Sequence, residues 1–206
     1  LSSESVSSSR YSLDYLGYEF WFSLTTQDKV SIQYGITDNK IKKYSKRLEK
    51  IITLYKMPSS PDYENLELLR HRIKAFASRE VYISKHFKSN VWKVKGFISN
   101  YGELRYFLDT PLIESNTKAF LENMIEDAFN SSGVPFPYFL KTNGYNLFDN
   151  LKSNKTILLV DTIGYDYNSL SSLCKSIGIS PIGIDGKRRG YGTLVRDYLI
   201  KVKVGY

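Results

Sequence analysis

Apolar and polar positions alternate through residues 14–24 and again through 29–36, with Tyr, Phe, Val and Ile prominent, which predicts two strands. Thr25-Thr26-Gln27-Asp28 between them predicts a turn. At residue 38 the period changes. Ile41, Tyr44, Leu48, Ile51 and Tyr55 recur at intervals of three and four, predicting an amphipathic helix over 38–56 with Asp38 as its N-cap. Met57-Pro58-Ser59-Ser60-Pro61 ends it. Ser60 suits a cap and Pro61 the first position of the next helix, whose stripe of Leu66, Leu69, Ile73 and Phe76 runs over 61–78.

Extended character returns at 80–85 and 91–98, two segments that could pair as a hairpin around Lys88-Ser89-Asn90. Helical spacing follows at 101–109 and 115–130. The run Ser131-Ser132-Gly133-Val134-Pro135-Phe136-Pro137 is the best internal boundary. Beyond it, 156–160 is a continuous apolar strand ending in Asp161, 168–177 is a short helix, and 179–184 and 193–204 read as strands. The pattern predicts an α+β fold with a flexible Ser-rich lead-in at 1–13. A hairpin and a helical bundle with a short hairpin occupy 14–133, and a small α/β unit occupies 134–206.

Charge sharpens this picture. The chain of 206 residues carries 29 Lys+Arg against 21 Asp+Glu, a formal charge of +8. Residues 1–110 hold 18 of those cations and 12 of the acids, so the excess lies mainly in the first half. A basic balance favours a polyanionic partner. Within 38–56, Lys40, Lys42, Lys43, Lys46, Arg47 and Lys50 fill the faces that the apolar stripe leaves. The single cysteine, Cys174, excludes an intrachain disulfide, and its place on the apolar side of a helix makes it a core residue. No apolar run approaches the ~20 residues of a membrane span, so no membrane partner is expected.

Tyr15-Leu16-Gly17-Tyr18, followed by Val30, Ile32, Ile36 and then Lys40, Ile41, Lys42, Lys43 and Arg47, resembles the end of the palm and start of the thumb in bacterial reverse transcriptases of the retron-like, antiphage-defence (abortive-infection) type. Leu68-Leu69-Arg70-His71-Arg72-Ile73-Lys74 resembles the helix that follows in the same branch, and the segment 92–96 resembles what comes next. The likeness covers 14–110. It implies that Tyr15, Leu16, Gly17 and Tyr18 form a primer grip. Lys40, Lys43, Lys46, Arg47 and Lys50 would hold the backbone of a template-primer duplex, with Arg70, Arg72 and Lys74 extending that surface.

The resemblance also implies a parent RNA-directed DNA polymerase of the bacterial cytoplasm that uses Mg²⁺ and acts in antiphage defence, often with a non-coding RNA. Homo- and hetero-oligomers stay open. The aromatic-x-Asp-Asp turn that would hold two metals is not in this sequence. The catalytic palm is therefore expected upstream of Leu1, with no catalytic residue, metal or cofactor in this segment. The only adjacent acids, Glu126 and Asp127, fall in a predicted helix and read as a solvated face.

The loop 186–192 joins three Gly to Lys187, Arg188 and Arg189, a further candidate for RNA or DNA contact; the plainer reading is a charged hairpin turn. Asp161 after 156–160 reads as a strand-ending turn, because no phosphate-binding glycine motif accompanies it. His71 and His86 are not at metal-ligand spacing. Two other functions remain for the chain: a freestanding basic RNA/DNA-binding or protein-interaction module without catalytic activity, and a small α/β enzyme centred on 150–206.

Overall fold

The computed structural model describes residues 11–24, 29–57, 62–77, 81–84, 91–94, 96–143, 146–152 and 166–204. Strands β1 (Tyr11–Tyr15), β2 (Tyr18–Leu24) and β3 (Val30–Ile36) form an antiparallel sheet in the order β1-β2-β3. Helices α1 (Asp38–Lys56) and α2 (Tyr63–Ala77) follow, then the hairpin β4 (Val81–Ser84) and β5 (Val91–Val94). Helix α3 (Phe97–Tyr101) runs into a 3₁₀ turn over Gly102–Tyr106. The rest is α4 (Ser115–Ser132), α5 (Tyr138–Asn143), α6 (Leu147–Lys152), α7 (Tyr167–Ser176) and α8 (Tyr191–Val202). The class is α+β.

The predicted strand over 14–24 is two strands. It breaks at Leu16-Gly17, where φ is 53° and 91°. Positive φ at both central residues lets a two-residue turn reverse the chain with the twist of paired strands, and Tyr15 accordingly pairs with Tyr18. Tyr11–Leu13 therefore belong to β1 rather than to the lead-in. The register puts Tyr11, Leu13, Tyr15, Tyr18, Phe20, Phe22, Ile32, Tyr34 and Ile36 on one face of the sheet. Tyr34 stacks on Phe107 at 3.8 Å, whereas Tyr11, Leu13 and Tyr15 at the β1 edge are exposed.

Helix α1 has the predicted bounds, but Thr37 is its N-cap and Asp38 sits in the first turn. Before α2, the Asp62 carboxylate accepts the Asn65 N–H at 3.0 Å; the predicted cap Ser60 and Pro61 lie outside the described residues. Strand β5 stops at Val94 and Phe97–Tyr101 is helical, so the extended reading of 91–98 was too long. The larger correction is at the C-terminus. The predicted strand at 193–204 is helix α8. Leu194, Val195, Tyr198 and Val202 are its buried residues, a helical spacing that β-branched side chains disguise. Residues 179–184 form no strand beyond an isolated bridge between Ile182 and Arg188. The expected strand at 156–160 with Asp161, and the turns at 25–28 and 88–90, lie outside the described residues.

Two hydrophobic clusters form the interior. The larger joins Leu48, Ile51 and Ile52 of α1 to Leu69, Ile73 and Phe76 of α2, with Phe97, Leu121, Phe129, Leu140 and Leu151. The smaller joins Leu68 and Ala75 of α2 to Leu170, Cys174, Leu194 and Tyr198. Cys174 is buried in it, and burial pushes its thiol up to about 11. Helix α2 thus presents one face to each cluster. Residues on both sides of 133 share the first cluster, because α6 packs on α4.

Candidate nucleic-acid interface

The β1–β2 turn is fastened to the start of α1. The Gly17 carbonyl accepts the Thr37 N–H at 3.1 Å, immediately before the helix begins. A Cβ on Gly17 would lie 2.8 Å from Lys40 Cε and 3.0 Å from the Tyr101 hydroxyl. Glycine is favoured here by its positive φ, and the flexible Lys40 stem packs over the space a Cβ would take. Leu16, next to it, is 80% exposed, and Tyr15 is exposed as well.

Tyr18 points inward. Its hydroxyl donates to the Asn100 carbonyl at 3.2 Å, and its ring meets Tyr101 edge-on at 5.3 Å. The Asn100 side-chain amide donates in turn to the Tyr44 hydroxyl on α1 at 2.7 Å. Burial raises the Tyr18 and Tyr101 phenols above their usual value, so both stay neutral near pH 7. The Arg47 guanidinium lies 5.4 Å from the centre of the Tyr44 ring. A continuous aromatic and hydrogen-bonded bridge therefore runs from the hairpin turn to the second turn of α1.

On the outer side of α1, Asn39, Lys42, Lys43, Lys46, Arg47 and Lys50 line a shallow concavity of about 480 Å³. None of these residues is acidic. Glu49 lines a neighbouring depression, beside Phe120 and Asp127 of α4, at the border of the basic face. The division follows from the helical period: Tyr44, Leu48, Ile51 and Ile52 are buried and turn the cations outward.

The structure thus brings Lys43, Lys46, Arg47 and Lys50 together and adds Lys42, which the candidate set omitted. The signal for Lys42 was available, since i, i+1, i+4, i+5 and i+8 share a helix face. Lys40 is not among the lining residues; its stem covers Gly17. The α2 cations take other places. Arg72 Nε donates to the Lys201 carbonyl at 3.2 Å, at the end of α8, and desolvation lowers its pKa. Arg70 stands 3.6 Å from Glu67, beside an apolar groove of about 860 Å³ that Tyr55, Leu66, Val134, Phe136 and Phe139 help to line. Lys74 is half-buried.

Lys187 and Arg188 are exposed on the loop before α8, while Arg189 is committed to Asp197 and to the Ser180 carbonyl. Among the described residues no three His, Cys, Asp or Glu side chains converge, and Glu126 and Asp127 are both exposed on α4. These residues do not fit a two-metal site. His71 is buried, with Nδ1 3.1 Å from the Tyr198 hydroxyl in a hydrogen bond. No helix among the described residues is long and apolar enough to cross a membrane. Comparison with known proteins finds no matching family model, no matching curated protein and no matching solved structure.

Proposed function

We propose that this chain holds the sugar-phosphate backbone of a nucleic-acid duplex on the outer face of α1, with the β1–β2 turn at one end of the track. On this reading it is the primer-grip and thumb portion of an RNA-directed DNA polymerase of the antiphage-defence type, working in the bacterial cytoplasm. The observation that carries the reading is the groove that gathers Lys42, Lys43, Lys46, Arg47 and Lys50 on one face of α1, near an exposed turn.

The chemistry is sequence-independent. Residues 42–50 extend about 12 Å along the helix axis. Ammonium and guanidinium groups along it meet phosphates without reading bases, as an enzyme that copies any sequence requires. Tyr15 and Leu16 offer an aromatic ring and an aliphatic side chain to the sugar and base of a primer end. Tyr18 and Gly17 fix the turn rather than touch the ligand. The exposed Tyr11 and Leu13 give an apolar surface on which the upstream palm would rest.

The test is binding of a recessed RNA–DNA junction by the full chain and by the Lys43→Glu/Arg47→Glu/Lys50→Glu variant. All three side chains lie in the outer groove, so the helical circular dichroism should stay unchanged. Affinity should fall by at least about a hundredfold, since each phosphate contact contributes to a counterion-release gain that reversal turns into repulsion. Unchanged affinity in the folded variant would remove the thumb assignment.

A further inference from the structure

The loop between α7 and α8 holds an isoleucine out in water. Ile184 has a relative exposure of 113%, and Ile182 beside it 46%. Among the described residues neither belongs to a hydrophobic cluster. The backbone beneath is braced from several sides. Ile182 and Arg188 form an antiparallel bridge. The Gly183 N–H donates to the Lys187 carbonyl at 2.8 Å, and the Gly186 N–H to the Gly183 carbonyl at 3.0 Å. Asp185 Oδ1 accepts the Lys187 N–H at 3.1 Å. At the base, the Arg189 N–H donates to the Pro181 carbonyl at 2.9 Å, and its guanidinium holds Ser180 and Asp197. A turn with this many internal bonds presents its apex side chain in one direction, already ordered for contact.

The surroundings of the apex are cationic. Lys187 and Arg188 are exposed, and Arg196 on the first turns of α8 is 69% exposed. Two acids lie nearby: Asp185 accepts a hydrogen bond within its own turn and is exposed beside Ile184, and Asp197 is paired with Arg189 and Arg196. Arg188 also lies over the Tyr167 ring at 4.8 Å, which steadies its position.

We propose that this loop is a second nucleic-acid contact, in which Ile184 wedges against a base step while Lys187 and Arg188 hold the flanking phosphates. The inference rests on the reading that the chain binds duplex. An apolar wedge bordered by cations is how proteins unstack a base step from the minor groove. A lipid surface fits less well. Interfacial elements bury a face of several large apolar residues, whereas here Ile184 and Ile182 are the exposed apolar side chains of the loop.

The experiment titrates the full chain into a short DNA duplex carrying 2-aminopurine, whose fluorescence rises when a base step unstacks. Ile184→Ser, Lys187→Gln/Arg188→Gln and the α1 charge-reversal variant are measured beside it. Wild type should raise the fluorescence. Ile184→Ser should abolish the rise and weaken binding about tenfold, the usual size of one such contact, with the salt dependence unchanged. The Lys187→Gln/Arg188→Gln pair should lower the salt slope by about 2. The α1 variant should bind more weakly yet still give the fluorescence rise at saturation. Equal affinity and fluorescence for wild type and Ile184→Ser would overturn the wedge and leave the α1 reading standing. No duplex binding by wild type would overturn both. Binding to phosphatidylserine vesicles that depends on Ile184, with no Ile184 effect on duplex, would overturn the wedge in favour of a lipid contact.

Discussion

Leu16 occupies a backbone conformation, φ 53°, that costs an L-residue roughly 1–2 kcal/mol. Its side chain recovers none of that inside the molecule, because it is 80% exposed. Strain of this kind, held at an exposed turn, accords with the proposed role in contact rather than one in folding. Asn tolerates the left-handed region, and Asn-Gly is the preferred pair for a two-residue hairpin turn. Leu16→Asn should therefore raise stability to denaturant by about 1 kcal/mol, while affinity for a recessed primer end falls several-fold. A variant that gains stability and binds as tightly as wild type would show that Leu16 makes no contact.

His71 gives a prediction of a different kind. Burial, helped by Lys74 and Arg70, pulls its pKa down from 6.5 to about 3. The folded protein keeps the ring neutral where the unfolded chain protonates it. Stability is then complete above about 6.5 and is lost as pH falls towards about 3. Between these values the slope should be close to one proton, about 1.4 kcal/mol per pH unit. His71→Gln should flatten it between pH 6 and 5 in urea denaturation, on the order of the full one-proton slope. An unchanged slope would place the sensitivity elsewhere.

At the scale of elements, α1 was legible because burial on one side imposes a 3.6-residue period, and α2 because its face toward the larger cluster keeps that period. The sheet was half legible. Its alternation survives through 11–36, but nothing in Tyr15-Leu16-Gly17-Tyr18 announces a reversal, since the usual Asn-Gly or Asp-Gly is missing and a strained Leu takes the first place. Helix α8 was misread because Thr193, Val195, Ile200 and Val202 favour strands when taken alone; packing against α2 and α7 overrides that. The basic groove could be read from α1. The places of Lys40, Arg72 and Arg189 could not, since each is set by a partner distant in sequence: Gly17, the Lys201 carbonyl and Ser180.

One junction fixes the sheet to the helices. Glu114 is buried and caps α4, accepting the Asn116 and Thr117 N–H groups at 3.0 and 2.8 Å. Thr117 Oγ1 accepts the Ile36 N–H at 2.9 Å. Burial works to raise the Glu114 pKa, but these backbone N–H bonds outweigh it and hold the carboxyl below its ordinary range. Its contribution is present above about pH 4.3 and is lost as pH falls through the lower folded value. Glu114→Ala should cost about 1 kcal/mol near pH 7, a deficit that shrinks in acid. The same deficit at pH 3 would mean that packing, not the charged cap, is what the substitution removes. Gly35→Ala should also destabilise, because its Cβ would lie 2.8 Å from Thr117 Oγ1.

Across the whole molecule, α2 ties the basic helix to the C-terminal pair. It contributes to both hydrophobic clusters. Polar ties reinforce this on the α8 side: His71 with Tyr198, Arg72 with the Lys201 carbonyl, and Lys201 Nζ with Glu64 at 3.6 Å and the Gly178 carbonyl at 3.1 Å. Of the α2 cations, Arg72 thus serves the assembly of the helices. Among the described residues, exposed cations gather on the outer face of α1 and on the loop at 187–188.

The most direct measurement is the duplex affinity of the full chain over a range of salt concentrations. Five cations in the α1 groove and two on the loop at 187–188 should give a log–log slope of about −6, and Lys43→Glu/Arg47→Glu/Lys50→Glu should lower its magnitude by about 3. A slope near zero, or one that the substitutions leave unchanged, would contradict the claim that α1 grips phosphates.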